Sequence, residues 1–505
     1  MPAPTNTLDF RFPRWLYRYI TAAVAVVTLF LSAPSTFAQN VEREDDEPAT
    51  LPDSRAGKQL GWVLEVVNGR ALGDPADKFT ERFLEVVPPD QLSAALTTLR
   101  EKSFGGAKVV LHRVLANEDR SDTISAVVNG QGTKKYLAAF LIVDGKSGKI
   151  AGLRFAPAGG TGGDPGQWND FGGDLGHLKG GVSFGAYELV LNGKSPEQGY
   201  RLRPVYEFGE DKRLAIGSTF KLYVLGALGE EVAKGAIKWD DKLAVSDACK
   251  TLPSGAMQTE PAGAEHTLAD FADKMISISD NTAATHLIRK VGRGKVEEYL
   301  GRLNEDSRRS RPFLTPREMF TIKLNKDVSL AQRYAAADED GRRVMLAEGG
   351  EVAAGEPDQS RLPEWKQPIE IERVEWFATA PECCRVMADL HRLEQNPGME
   401  PLGHALRLNP GMPFDKDTWK SVAFKGGSEP GVINLTWLLE RTDGRWFALS
   451  VGWNDANETL DEAKMIELAG KGVAILAKDG REDAGQKAPE APKPKEQAPN
   501  DQRDK

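Results

Sequence analysis

A chain of 505 residues with 40% hydrophobic composition is too long for one ordinary core and too apolar for general disorder, so two folded parts plus tails are expected. The net charge of -9, without a basic cluster in the folded region, argues against nucleic acid as a partner. Six histidines between His112 and His404 show no metal-ligand spacing, which argues against a zinc hydrolase; no metal or other cofactor is implied.

Taken in chain order, residues 1–38 read as an export signal. Arg11, Arg14 and Arg18 precede an apolar stretch over 20–33, and Thr36-Phe37-Ala38 places small residues where a signal peptidase cuts. The apolar stretch is short of the roughly 20 residues that cross a bilayer, so a soluble periplasmic or secreted bacterial protein without a stable membrane span is expected after cleavage. A polar, acidic segment leads to a small α+β domain over 57–156. Its helical part spans 76–101, and strands are expected at 107–115, 123–128, 135–143 and 149–155, with turns at Asn129-Gly130 and Asp144-Gly145. Helices followed by an antiparallel meander suit a cone-shaped domain of the NTF2 or steroid-isomerase type, an analogy from element order alone.

Residues 157–180 are dense in glycine and read as a linker. A second domain is expected over 181–478, with strands at 182–191 and 200–208, a helix beginning near Ser218 and a long helical middle. Strands at 421–424, 432–440 and 446–453 and a helix at 460–477 close it. Strands at both ends of a helical middle imply one sheet assembled from both termini of the domain. Residues 479–505, rich in Pro, Lys and acids, read as a disordered tail. Of three cysteines, Cys249 is able to bridge Cys383 or Cys384, but buried free thiols fit equally well.

Three segments carry chemistry. In Gly217-Ser218-Thr219-Phe220-Lys221 the lysine lies three residues after the serine, on the same helical face, so its amine approaches the Ser218 hydroxyl. A serine hydroxyl needs such a neighbour to become a nucleophile, and a helix N-terminus favours the alkoxide. Lys221 serves as a base only if desolvation and a nearby cation lower its pKa, and Lys425 is the obvious cation. Ser279-Asp280-Asn281 falls between two helical patterns: Ser279 is placed to relay a proton to a leaving nitrogen, Asn281 to hold the acyl side chain, and Asp280 to cap and brace the loop. Lys425-Gly426-Gly427-Ser428 ends an apolar strand. There Lys425 would attract a substrate carboxylate, the glycines would let a ligand backbone lie along the strand edge, and the N–H groups of Ser218 and Ser428 would form an oxyanion hole. Each segment alone also fits a capped helix or a turn; three in this order argue for an active-site serine enzyme acting on a small acyl substrate.

On these motifs the chain resembles the serine β-lactamase and penicillin-binding-protein superfamily over roughly 180–478, and Met275 to Ala283 is similar to class A enzymes. The resemblance implies a mixed antiparallel sheet packed beside a helical lobe with the site between them, and an exported serine hydrolase that forms an acyl-enzyme at Ser218 and hydrolyses a β-lactam or related amide or ester. The alternatives are a penicillin-binding D,D-peptidase or esterase, and a non-catalytic β-lactam-binding protein. Arg311 to Phe320 and Trp376-Phe377-Ala378 resemble the two-domain β-lactamase-like proteins of clavulanic-acid gene clusters. Two features depart from class A. Gly426 stands where many β-lactamases carry Thr or Ser, and no Glu-x-x-Leu-Asn lies between Asn281 and Thr315 to supply a deacylating carboxylate; the nearby acids Glu305 and Asp306 do not match its spacing. Slow deacylation follows from that loss.

Overall fold

The computed structural model of the chain describes residues 50–116, 122–133, 136–157, 167–412 and 414–479. The expected export signal over 1–38 and residues 480–505 of the expected tail lie outside the described residues. Among those described, no helix is long and apolar enough to cross a membrane.

The first domain begins with α1 (Arg55–Val67), capped by the Ser54 hydroxyl accepting from the Gly57 N–H, and sequence reasoning missed this helix because polar flanks hide its apolar stripe. Leu60, Val63 and Val67 of that stripe are buried against the sheet residues Ile124, Ala126 and Leu141. The expected helix over 76–101 is instead three: α2 (Pro75–Lys78), α3 (Glu81–Val86) and α4 (Pro89–Phe104). Thr80, which caps α3, and Pro88-Pro89, which cannot continue a helix, interrupt an otherwise helical apolar pattern. Strands β1 (Val109–Ala116), β2 (Thr123–Gly130), β3 (Tyr136–Val143) and β4 (Ile150–Pro157) then pair in sequence as an antiparallel meander.

The glycine-dense linker expected over 157–180 holds a helix, α5 (Trp168–Gly176), which belongs to the second domain. Phe171 and Leu175 are fully buried there, and Trp168 stacks on Tyr206 at 4.8 Å. Gly172 serves close approach rather than flexibility, since a Cβ there would lie 2.2 Å from the Tyr206 hydroxyl. Phe171→Ala is expected to lower stability by about 3–5 kcal/mol, read from the denaturant midpoint, whereas a true linker residue would shift it little.

Strands β5 (Gly181–Leu191) and β6 (Tyr200–Phe208) form one side of the main sheet, and the two-residue β7 (Leu214–Ala215) leads into the Ser218 turn and α6 (Lys221–Ala233). A short hairpin, β8 (Lys242–Ala244) with β9 (Glu265–Thr267), precedes a helical lobe: α7 (Leu268–Ser277), α8 (Asn281–Val291), α9 (Arg293–Leu303), α10 (Pro316–Lys323), α11 (Leu330–Ala336), α12 (Glu339–Leu346) and α13 (Glu351–Ala354). The two-residue β10 (Phe377–Ala378) pairs with β7, then α14 (Ala380–Leu393) and α15 (Glu400–Arg407) return the chain to β11 (Trp419–Glu429), β12 (Val432–Arg441), β13 (Trp446–Asn454) and the final α16 (Glu462–Ala477).

The sheet runs β11-β12-β13-β5-β6, all antiparallel, so strands from both ends of the domain meet as the sequence implied. One apolar cluster joins α6 and α14 to one face of the sheet, and a second joins α5 and α16 to the other. All three cysteines are buried and free, and Cys249 Sγ accepts a hydrogen bond from Arg289 at 3.2 Å.

Candidate active site

Residues 217–220 form one turn of 3-10 helix that runs straight into α6, placing the Ser218 side chain at the start of a buried helix with Lys221 one turn on. The Lys221 amine is within 2.9 Å of Ser218 Oγ, 2.8 Å of the Ser279 carbonyl, 3.1 Å of Ser279 Oγ and 2.7 Å of Asn281 Oδ1. Burial first, and the charge of Lys425 second, hold the Lys221 ammonium well below the ordinary lysine range. A neutral amine has two N–H donors, which match its two obligate acceptors, the Ser279 carbonyl and Asn281 Oδ1. Its lone pair is then left for a serine hydroxyl to donate to.

Ser279 adopts the left-handed region, with φ 57°, which few non-glycine residues occupy. That conformation closes the short break between α7 and α8. Asp280 fixes the break in place: one carboxylate oxygen accepts from the Ala283 N–H at 2.8 Å as the N-cap of α8, and the other accepts from the N–H groups of Ala256 (2.6 Å) and Met257 (2.8 Å). Asp280 therefore ties the loop before α7 to the site, and its carboxylate is taken up by these backbone N–H groups. Ser254, on that loop, donates to the Ser279 carbonyl at 2.7 Å, and its own carbonyl accepts from the Asn281 N–H at 3.0 Å. Sequence reasoning missed Ser254, and no motif signals it.

Lys425 donates to Ser279 Oγ at 3.0 Å and to the Gly426 carbonyl. Ser279 Oγ thus bridges two amines. Burial alone pushes the Lys425 ammonium down to about 7. Contrary to the sequence reading, Lys425-Gly426-Gly427-Ser428 does not end its strand: β11 continues to Glu429, and the turn is Pro430-Gly431. Alternation puts Lys425 and Gly427 on the face toward α6, with Gly426 and the exposed Ser428 side chain on the other. Gly427 packs against the Ser218 turn so closely that a Cβ would lie 2.3 Å from both Ile216 O and Ser218 N. Gly426 is explained by the other face. A Cβ there would meet the Phe424 ring at 2.8 Å, and that ring is packed on Trp437 at 4.9 Å, so the hydroxyl-bearing side chain common at this position has no room.

The structure therefore brings Ser218, Lys221, Ser279, Asn281 and Lys425 to one place and sets the backbones of Gly427 and Ser428 against the Ser218 turn. Glu305 and Asp306 are not part of it: Glu305 pairs with Arg385 at 3.3 Å on the surface, and Asp306 is beside Arg308. Among the described residues, no carboxylate hydrogen-bonds Ser218 or Lys221.

Residues 202–339, which include the Ser218 and Ser279 segments, match the model of the β-lactamase enzyme family. The segment that carries Ser218 and Ser279 is therefore similar to that family. Residues 51–133 match a second family model, described as the N-terminal part of the ORF 12 gene product, so the N-terminal domain has relatives of its own. Among solved structures, the chain is similar to a β-lactamase from Sphaerobacter thermophilus, at 18% identity and TM-score 0.41 over 61% of this chain and 95% of that one. A β-lactamase from Francisella tularensis matches at 16% identity and TM-score 0.40 (61% and 97%), and PBP-A at 13% and 0.40 (61% and 94%). No curated protein matches the chain.

Proposed function

We propose that this protein is an exported serine hydrolase that forms an acyl-enzyme at Ser218 with a β-lactam or a related amide or ester. The observation that carries this reading is the four-contact environment of Lys221, a buried amine held well below the ordinary lysine range that faces Ser218 Oγ at 2.9 Å. In the reaction, Ser218 gives its proton to Lys221 and attacks the carbonyl carbon. The oxyanion that forms is held by the N–H groups of Ser218 and Ser428. Ser279 then passes its proton to the leaving nitrogen and is reprotonated by Lys221, the two lying 3.1 Å apart.

The absence of a carboxylate bonded to Ser218 or Lys221 among the described residues supports slow release of the acyl group, because water lacks the usual activating base. The same observation favours, as a second reading, a penicillin-binding D,D-peptidase. Stopped-flow kinetics with a chromogenic cephalosporin test the proposal: a burst of one equivalent per protein, then slow turnover, is expected. Hydrolysis without a burst, or none at all, contradicts it. Turnover of an acyl-D-Ala-D-Ala peptide alongside a stable penicillin adduct would select the peptidase.

A pH dependence follows from the two lysines. The rate constant kcat/KM should rise as pH climbs through the depressed pKa of Lys221, which must be neutral to accept a proton. For substrates bearing a carboxylate it should fall again as pH rises through about 7, where free Lys425 loses its charge. A neutral ester should lack that alkaline limb. Equal limbs for both substrates would show that Lys425 does not recognise the carboxylate.

A further inference from the structure

The interior holds a second charged cluster that the chemistry above does not use. Lys323, the last residue of α10, donates to Glu375 Oε1 at 2.8 Å and also to Glu429, the last residue of β11. The side chains of Lys323 and Glu375 are 0% exposed and that of Glu429 is 8% exposed. Nothing on a protein surface explains three ionisable groups placed in the dry interior at such desolvation cost.

Each carboxylate is attached to one wall of the oxyanion hole. Glu429 directly follows Ser428 and faces the same side of β11 as Lys425 and Gly427. Glu375 accepts from the Trp376 N–H at 3.2 Å, the Trp376 carbonyl accepts from the Ile216 N–H at 2.9 Å, and the Trp376 ring stacks on Phe220 at 3.7 Å. β10, which follows at once, pairs with β7 just ahead of Ser218. Lys323 therefore joins two backbones: β11 through Glu429, and the Ser218 turn through Glu375 and Trp376.

We infer that Lys323, Glu375 and Glu429 form a buried clamp that fixes the separation of the Ser218 and Ser428 amides, which makes Lys323 a positioning residue for acyl transfer. The inference rests on the acyl-enzyme reading. One ammonium balances one carboxylate, so the other carboxyl keeps its proton; burial and the neighbouring Glu375 push Glu429 well above the usual carboxylate range, and the two acids keep Lys323 charged.

The test compares acylation of the full chain by a chromogenic cephalosporin, separating the non-covalent dissociation constant from the acylation rate. The triple variant K323M/E375Q/E429Q buries no charge and so is expected to fold, since neutralising a whole buried charge set is far milder than breaking a pair. Its acylation rate should fall about tenfold or more with the dissociation constant unchanged, because a small displacement of the oxyanion donors is costly. E375Q and E429Q singly leave Lys323 one carboxylate and should stay within about threefold of wild type. Should the triple variant unfold, K323R carries the test: its bulkier planar head keeps the charge but shifts the carboxylates, and slower acylation at unchanged affinity is expected. A folded triple variant, or failing that K323R, that acylates at the wild-type rate overturns the clamp, as does a single variant as slow as the triple. A wild-type protein that takes no adduct overturns the acyl-enzyme reading and the clamp with it.

Discussion

Lys221→Met should reduce the acylation rate by about 10³-fold while leaving the fold and the non-covalent affinity in place. The side chain is fully buried, and methionine fills nearly the same volume without a charge to desolvate, so the loss is chemical rather than structural. Asn281 Oδ1 and the Ser279 carbonyl each lose a donor, a cost that a thermal melt would register as a modest drop. Lys221→Arg should not rescue the rate, because a guanidinium keeps its proton and cannot act as a base. Single-turnover kinetics on both variants check this. Acylation by the Met variant at more than about a tenth of the wild-type rate would assign the base elsewhere.

Gly427→Ala should be nearly as damaging, and for a geometric reason. Its Cβ would fall 2.3 Å from Ile216 O and from Ser218 N, both backbone atoms that cannot rotate away. β11 and the Ser218 turn must then separate by about 1 Å, which widens the gap between the amides of Ser218 and Ser428 and is expected to slow acylation about 100-fold. The adjacent Gly426→Ala provides the contrast. Its neighbours are the ends of the Phe424 and Leu435 side chains, at 2.8 and 3.2 Å, and these have room to repack only by disturbing Trp437. That variant should lose stability, by about 1–3 kcal/mol, more than acylation rate. Paired measurements of unfolding midpoint and acylation rate separate the two: the account fails if Gly427→Ala acylates like wild type.

The arrangement of the candidate site is legible where it depends on local spacing. A spacing of three residues on one helical face brings Lys221 to Ser218, and a serine followed by Asp280 at a helix N-cap predicts the tight break at Ser279. The sheet built from both termini was equally readable, because its strands are apolar runs bounded by turn residues. What escaped was long-range or depended on what a residue packs against. By sequence Gly172 reads as part of a flexible linker, yet the Tyr206 hydroxyl lies where its side chain would be. Lys323 reads as an ordinary charged residue in the last turn of a helix; its two carboxylate partners are 52 and 106 residues away in sequence. Ser254 sits in a loop tied to the site through Ser279, Asp280 and Asn281, contacts that no pattern in its own neighbourhood announces. The end of β11 was placed too early, because two glycines inside a strand resemble a turn unless the close approach they permit is known.

Intact-mass spectrometry after incubation with a panel of β-lactams tests the central claim most directly. Wild type is expected to gain the mass of one β-lactam per chain and to keep it through slow release, and Ser218→Ala to gain none. No adduct on wild type with any member of the panel, or an adduct that survives Ser218→Ala, would contradict the assignment of Ser218 as the nucleophile.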